Sequence, residues 1–311
     1  MRDPGRFFRS WPNLLGLTIV GFFVCVAVAA PLLAPPAEGV DGVSMYKRAG
    51  RSTDRTPHPP SPDALLGTVP GQLDVFYSLV WGTRHAMRFG LVVALCTGFL
   101  GVVVGAVSGY AGGTVGRVLL RITDGFLALP VVVGVGIFRQ VMFLDETSLL
   151  GPVAHRVVRL VGSDYTLLAF ILFSWMPYAR VINASVARLR EVDYVLAARS
   201  LGVRAPRVVS RHLLPNAIAP AIVLVARDIG AMVLLGAALA FMGIGSDSPW
   251  GQLAAVGRDY VIGAYGDLLG MWWTFVPVTV ILILFGVGWN LLGDGLNDLL
   301  DPRYYSRRSR L

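Results

Sequence analysis

The 311-residue chain is 55% apolar and only 15% Asp, Glu, Lys and Arg, against about a quarter charged in an ordinary soluble domain. Its charges are bunched and long windows carry none, which argues against a water-soluble globule and for a polytopic membrane protein. The net charge of +8 comes from 27 basic and 19 acidic residues. In a membrane chain, basic cytoplasmic loops account for such a balance, so nucleic acid is not an expected partner.

A helix needs about 20 mainly apolar residues to cross the hydrocarbon core, and six windows qualify. Residues 1–12 precede the first, at 13–33, which has no charge. It exceeds the roughly 7–15 residues of a signal peptide's apolar core and reads as a retained anchor. Residues 34–88 follow as a Pro-rich extracytoplasmic segment, expected to end in an interfacial helix over 73–85. The second span, 89–110, is again uncharged, and Gly101, Gly105 and Gly109 repeat on one of its faces, as close helix packing requires. The third, 125–144, carries Arg139, and the fourth, 165–182, carries Arg180, each near an end where a long side chain can reach the interface. The fifth, 217–244, is interrupted by Arg227-Asp228. Either that pair lies within the membrane, where it needs partners and marks a functional candidate, or the span begins only after Asp228. The sixth, 268–292, contains Pro277, a candidate kink.

With the N-terminus inside, the four cytoplasmic segments hold 15 basic residues and the three external ones nine. That bias favours an N-in, C-in, all-α protein of six spans. The loop 185–216 alone holds six Arg.

Several chemistries lack a motif. A nucleotide-binding P-loop needs Lys directly before Ser or Thr, and the single lysine, Lys47, precedes Arg48. None of His58, His85, His155 and His212 opens a zinc-protease motif, and there is no G-x-S-x-G elbow. Cys25 and Cys96 sit inside apolar runs and suggest neither a disulfide framework nor a metal site. No catalytic residue and no bound cofactor or metal are expected on this chain.

The cytoplasmic stretch 191–216 reads as a short helix hairpin. Tyr194, Ala197, Ala198 and Leu201 recur at helical spacing as a narrow apolar face, Gly202 is placed to end the helix in the left-handed conformation, and Pro206 to start the next. This makes a knob for a soluble partner, or an amphipathic interfacial loop.

At these residues the chain resembles the permeases of ABC importers. Ala197-Ala198, Gly202 and Leu214-Pro215 match the E-A-A-x-x-x-G-x9-I-x-L-P signature of that family, in the form shown by its dipeptide, oligopeptide and nickel branch on the C-type permease side. Leu66-Gly67-Thr68, GAVSGYAGGTVGRVLLRITD over 105–124, Ala128-Leu129-Pro130, WMPYAR over 175–180, FMGIG over 241–245, Pro249-Trp250-Gly251 and NLLGDGLN over 290–297 with Asp301-Pro302-Arg303 resemble the branch's other motifs in order. Leu196 and His212 depart from the signature's Glu and Ile, Val69 and Gln72 from the polar positions before the second span, and 139–165 is longer than the family's connection.

The resemblance implies a type I ABC importer permease fold. It divides the chain into an N-terminal segment 1–12, a first span 13–33, the external segment 34–88, a permease core 89–303 and a basic tail 304–311. It implies an ATPase-coupling loop carried by Glu191, Tyr194, Ala197, Ala198, Arg199, Gly202, His212 and Pro215, while Arg180, Asn183, Arg227 and Asp228 stand as candidate pathway or intramembrane polar residues. The implied partners are a second homologous permease in a heterodimer, two ABC ATPases that bind ATP and Mg, an extracytoplasmic substrate-binding protein, and membrane lipid. The implied location is a bacterial or archaeal inner membrane. Di- or oligopeptides are the expected substrates, with nickel or another small solute as the alternative. A self-sufficient secondary transporter, active alone in liposomes, and an intramembrane hydrolase, turning over without ATP, are the rival classes.

Overall fold

A computed structural model describes residues 4–36, 46–50, 54–143, 152, 156, 165–244, 248–261 and 270–300. The expectations for 139–165, apart from its two ends, and for the tail beyond Leu300 fall outside them.

The described regular structure is helical apart from a two-stranded antiparallel ribbon, β1 (Thr68–Val69) and β2 (Leu73–Asp74), with non-helical chain over 46–50 and 54–67. The helices are α1 (Trp11–Leu33), α2 (Val75–Ala111), α3 (Gly113–Leu127), α4 (Val131–Phe143), α5 (Tyr165–Ser174), α6 (Met176–Leu189), α7 (Asp193–Ser200), α8 (Ala205–Val208), α9 (Leu214–Ala217), α10 (Ala219–Phe241), α11 (Pro249–Gly257) and α12 (Val276–Leu300). By length and composition five can cross a membrane: α1, α2, Tyr165–Leu189 (α5 with α6), α10 and α12. A sixth is added if α3 and Val131–Gln140 of α4, bent by 81°, form one broken span.

Four expectations change. No separate interfacial helix occupies 73–85: α2 runs unbroken for 37 residues. At about 1.5 Å per residue that is roughly 55 Å, well beyond a hydrocarbon core of about 30 Å. Its start is set by Asp74, whose Oδ1 accepts the backbone N–H of Tyr77 at 3.1 Å, an N-cap. Second, the helical pattern expected to continue through 125–144 breaks at Ala128-Leu129-Pro130, because Pro130 lacks an N–H for the ladder. Third, the helix of the fifth span extends beyond the expected window's interruption: α10 runs unbroken from Ala219 through Arg227 and Asp228 to Phe241. Fourth, Pro277 kinks nothing, since it stands in the first turn of α12, where its missing N–H has no intrahelical partner to lose.

The residues group into two compact units. One comprises the described parts of Met1–Leu14, Val92–Asp228 and Leu291–Leu311, the other those of Leu15–Leu91 and Ile229–Asn290. The second unit is centred on aromatic rings. Phe23, Trp250 and Phe285 pack with centroids 5.0 to 6.1 Å apart, and Trp250 Nε1 donates to the Leu79 carbonyl at 3.2 Å. Gly82 lets that indole approach, since a Cβ there would lie 2.5 Å from the Trp250 ring. The Pro-rich segment joins this unit through backbone bonds: Lys47 and Gln72 carbonyls accept from Asp74 and Ala49, and His58 accepts from Thr68. Gln72 takes a left-handed φ of 57° in the ribbon turn, and its side-chain amide donates to the Thr56 carbonyl at 2.9 Å.

In the first unit α2 packs on α6 along the expected glycine stripe. A Cβ on Gly105 would lie 2.5 Å from the Ala179 carbonyl oxygen, and one on Gly109 2.8 Å from that of Asn183. The helices therefore touch backbone to backbone, as small-residue stripes allow. Ala106, Tyr178, Ile182, Val186, Val195, Val208, Leu213, Ala217 and Ala221 form one buried cluster beside that seam.

Candidate functional site

That cluster carries the loop between α6 and α10. Val195 is fully buried in it, and Val208 and Leu213 anchor the returning segment. Around Val195 the remaining face of α7 is open: Tyr194 is 43% exposed, Leu196 44% and Leu201 85%. Large apolar groups are thus held outward on a helix that has a single buried anchor. Ala197 is exposed and Ala198 half-buried, so the small residues flank the apolar ones.

The end of α7 is a Schellman cap. Val203 N–H donates to Ala198 O at 3.2 Å and Gly202 N–H to Arg199 O at 3.0 Å, with Gly202 at φ 76°. Nothing lies within 4 Å of where a Cβ on Gly202 would stand. Glycine is needed there for its backbone conformation rather than for space. Pro206 stands in the first turn of α8, as expected. Between α8 and α9 the backbone makes one π-helical turn, Val209–Leu213, which places half-buried His212; no periodicity in the sequence announced it. The His212 carbonyl accepts from Asn216 Nδ2 at 2.9 Å, and Pro215 is exposed in α9.

Two arginines fasten the loop to the α2 terminus. Arg190 donates to the Gly109 carbonyl at 3.2 Å and pairs with Glu191 at 3.5 Å. The Arg199 guanidinium lies 5.8 Å from the Tyr110 ring centroid, within cation–π range. Glu191 and Arg199 are thus engaged within the chain, while Tyr194, Leu196 and Leu201 face outward.

Each of the candidate polar residues on the helices, Arg180, Asn183, Arg227 and Asp228, has a partner within the chain. Asp228 accepts from the Tyr178 hydroxyl at 2.6 Å, and its neighbour Arg227 pairs with Asp294 of α12, in the space left by Gly293. The adjacent pair therefore ties α10 to two helices, which answers the cost of placing charge in an apolar segment. Asn183 donates to Ser108 Oγ at 2.8 Å, across the α2–α6 seam. Arg180 meets Asp124 of α3 at 3.0 Å, both side chains about half exposed, and Arg139 donates to Thr166 Oγ1 at 2.7 Å. Sequence reasoning missed the partners Tyr178, Asp294 and Asp124 and the anchor Val195, although the first three stand inside motifs quoted above.

Outside the helices two carboxylates differ. Burial pushes Asp74 above the usual aspartate value, while the hydrogen bond from His58 holds exposed Asp54 below it.

The sequence pattern of the family described as "binding-protein-dependent transport system inner membrane component" matches residues 101–305. The dipeptide transport system permease protein DppC of Alkalihalophilus pseudofirmus is 28% identical over 94% of this chain and 86% of its own length. The oligopeptide transport system permease protein OppC of Bacillus subtilis is 28% identical over 96% and 88%. The glutathione transport system permease protein GsiD of Pectobacterium atrosepticum is 27% identical over 98% and 93%.

Proposed function

The chain belongs to the family of binding-protein-dependent transport system inner membrane components, and from that premise we propose that it forms one half of the translocation pathway of an ATP-driven peptide importer. It works with a second, homologous permease, two ABC ATPases and an extracytoplasmic binding protein. ATP and Mg belong to the ATPases. The permease contributes two packings of one helix bundle, each favoured by a different ATPase state.

The observation that carries this reading is the outward apolar surface of α7, Tyr194, Leu196 and Leu201, rooted through Val195 in the cluster that α2, α6 and α10 share. A force applied at α7 reaches three long helices through packed side chains rather than through a flexible tether. Peptide as the substrate is supported by relatives named for dipeptide, oligopeptide and glutathione transport over nearly their whole length.

The experiment is purification of the tagged permease from membranes, with Tyr194→Glu/Leu201→Glu beside the unsubstituted chain. The ATPases and second permease are expected to co-purify with the unsubstituted chain. The doubly substituted chain is expected to lose the ATPases and keep the second permease. ATPases retained by it, or solute uptake by the chain alone in liposomes, would overturn the reading.

A further inference from the structure

Both ends of α3 are turns. At its entry Gly112 and Gly113 take φ of 57° and 51°, the left-handed region that lets the chain change direction sharply, and at its exit α4 departs at 81°. Between these turns the 15 residues of α3 sort into three flanks at about 100° per residue. Gly116 and Thr123 are buried against the rest of the unit. Next round the helix come Val115, Val118 and Ile122, each about half exposed, and beyond them Thr114, Arg117, Arg121 and Asp124, also exposed. Asp124 is matched by Arg180 at 3.0 Å, which leaves Arg117 and Arg121 as the unbalanced charges. Arg117 makes local bonds, to the Gly113 carbonyl at 3.1 Å and to Thr114 Oγ1 at 3.3 Å, and among the described residues neither arginine has an acidic partner.

We propose that α3 lies flat in the cytoplasmic interface of the bilayer, with Val115, Val118 and Ile122 among the acyl chains and Arg117 and Arg121 on the phosphates of anionic lipids. A helix that crosses a membrane keeps its charges near its ends, whereas the polar groups from Arg117 to Asp124 follow one side of α3 over about 10 Å of its length. A helix in the interface sorts its residues by side instead: hydrocarbon below, headgroups and water above, and here the rest of the unit along the third flank. The distribution of basic residues assigns this connection to the cytoplasmic side, between the second and third spans, so its two ends hold it against the bilayer. Lipid is therefore the occupant within reach of both open flanks at once. Two unbalanced arginines suit an anionic leaflet, and a guanidinium can grip a phosphate through paired N–H donors. The inference rests on the membrane topology and not on the importer reading.

The test uses the permease with its co-purifying subunits in nanodiscs of phosphatidylcholine and phosphatidylglycerol. In a Cys25→Ser/Cys96→Ser background, bimane is attached at Val115→Cys, Val118→Cys, Ile122→Cys or Thr114→Cys in turn. Lipids brominated along the acyl chain are expected to quench the first three at similar depth, and aqueous iodide to quench the fourth. A depth that changes by about 10 Å from 115 to 122 would show a crossing helix. Iodide quenching at 118 would show a watery face, and quenching by neither agent would show a neighbouring subunit covering it; each of these results overturns the inference. At 118, brominated phosphatidylglycerol should be preferred over brominated phosphatidylcholine by about fivefold or more, the scale of one arginine near an anionic surface. Arg117→Gln/Arg121→Gln should bring that preference to parity, and Arg117→Lys/Arg121→Lys should keep it. Parity with both arginines in place, or a preference that survives the double Gln substitution, would overturn the assignment of the headgroups to these arginines. The importer reading stands or falls separately, on co-purification of the ATPases.

Discussion

The Tyr178 hydroxyl donates a 2.6 Å hydrogen bond to Asp228, joining the seam-forming helix α6 to the middle of α10. Tyr178 is fully buried, so its hydroxyl has no bulk water to turn to. Tyr178→Phe keeps the ring and leaves the carboxylate without this donor, and should cost about 1–3 kcal/mol. Asp228→Asn retains an acceptor for the same hydroxyl and should cost less. Thermal unfolding of the detergent-solubilised protein orders the two; equal stability of Tyr178→Phe and the unsubstituted chain would show that the bond contributes nothing.

The α2–α6 seam makes a contrast within one residue type. Gly105→Ala places a methyl group against the Ala179 carbonyl and, like other overpacked contacts, should destabilise by about 1–3 kcal/mol. Gly125, in α3, has nothing within 4 Å of its Cβ position. Gly125→Ala should stabilise, by about 0.5–1 kcal/mol, because alanine favours a helix interior. The same unfolding assay reads both signs.

Asp74 links pH to the start of α2. Its carboxyl is pushed above the ordinary 3.8 by burial, so the folded state binds that proton more tightly than the unfolded chain. The resulting stability penalty is full above the folded value and disappears as pH falls through it toward 3.8. Asp74→Asn keeps the cap acceptor without the charge, so it should be neutral or stabilising at pH near 7 and lose that advantage on acidification; Asp74→Ala removes the cap and should cost about 1 kcal/mol at either pH. Asp54 has the opposite sign: its bond from His58 favours the folded state above the usual aspartate value and fades as pH falls through its lowered one. Stability of Asp74→Asn relative to the unsubstituted chain, measured across the acidic range, separates the two.

The sequence revealed helices wherever apolar residues ran long, and local chemistry set their ends: Gly202 and Pro206 fall where expected because a cap or a first turn depends on a few neighbouring residues. The glycine stripe was equally legible, since its spacing is a property of one helix. What depends on a distant partner was not. Arg227 and Asp228 look like an isolated charged interruption until Asp294 and Tyr178 are brought beside them. Val195 looks like one apolar residue among several, and only the packing of α2, α6 and α10 shows that it points inward while Tyr194 and Leu201 point out. Pro277 read as a kink because the window chosen for the last span began before the helix does.

The proposed transmission of ATPase motion through α7 to the bundle is tested by ATP-driven peptide uptake in the assembled importer carrying Ala198→Asp or Gly202→Asp. The first substitution puts a charge beside the outward apolar face, and the second forces a residue with a Cβ into the left-handed cap, at about 1–2 kcal/mol. The expected result is a large loss of uptake in both, with the permease still inserted and still bound to its homologous partner. Uptake at the unsubstituted rate in both variants would contradict it.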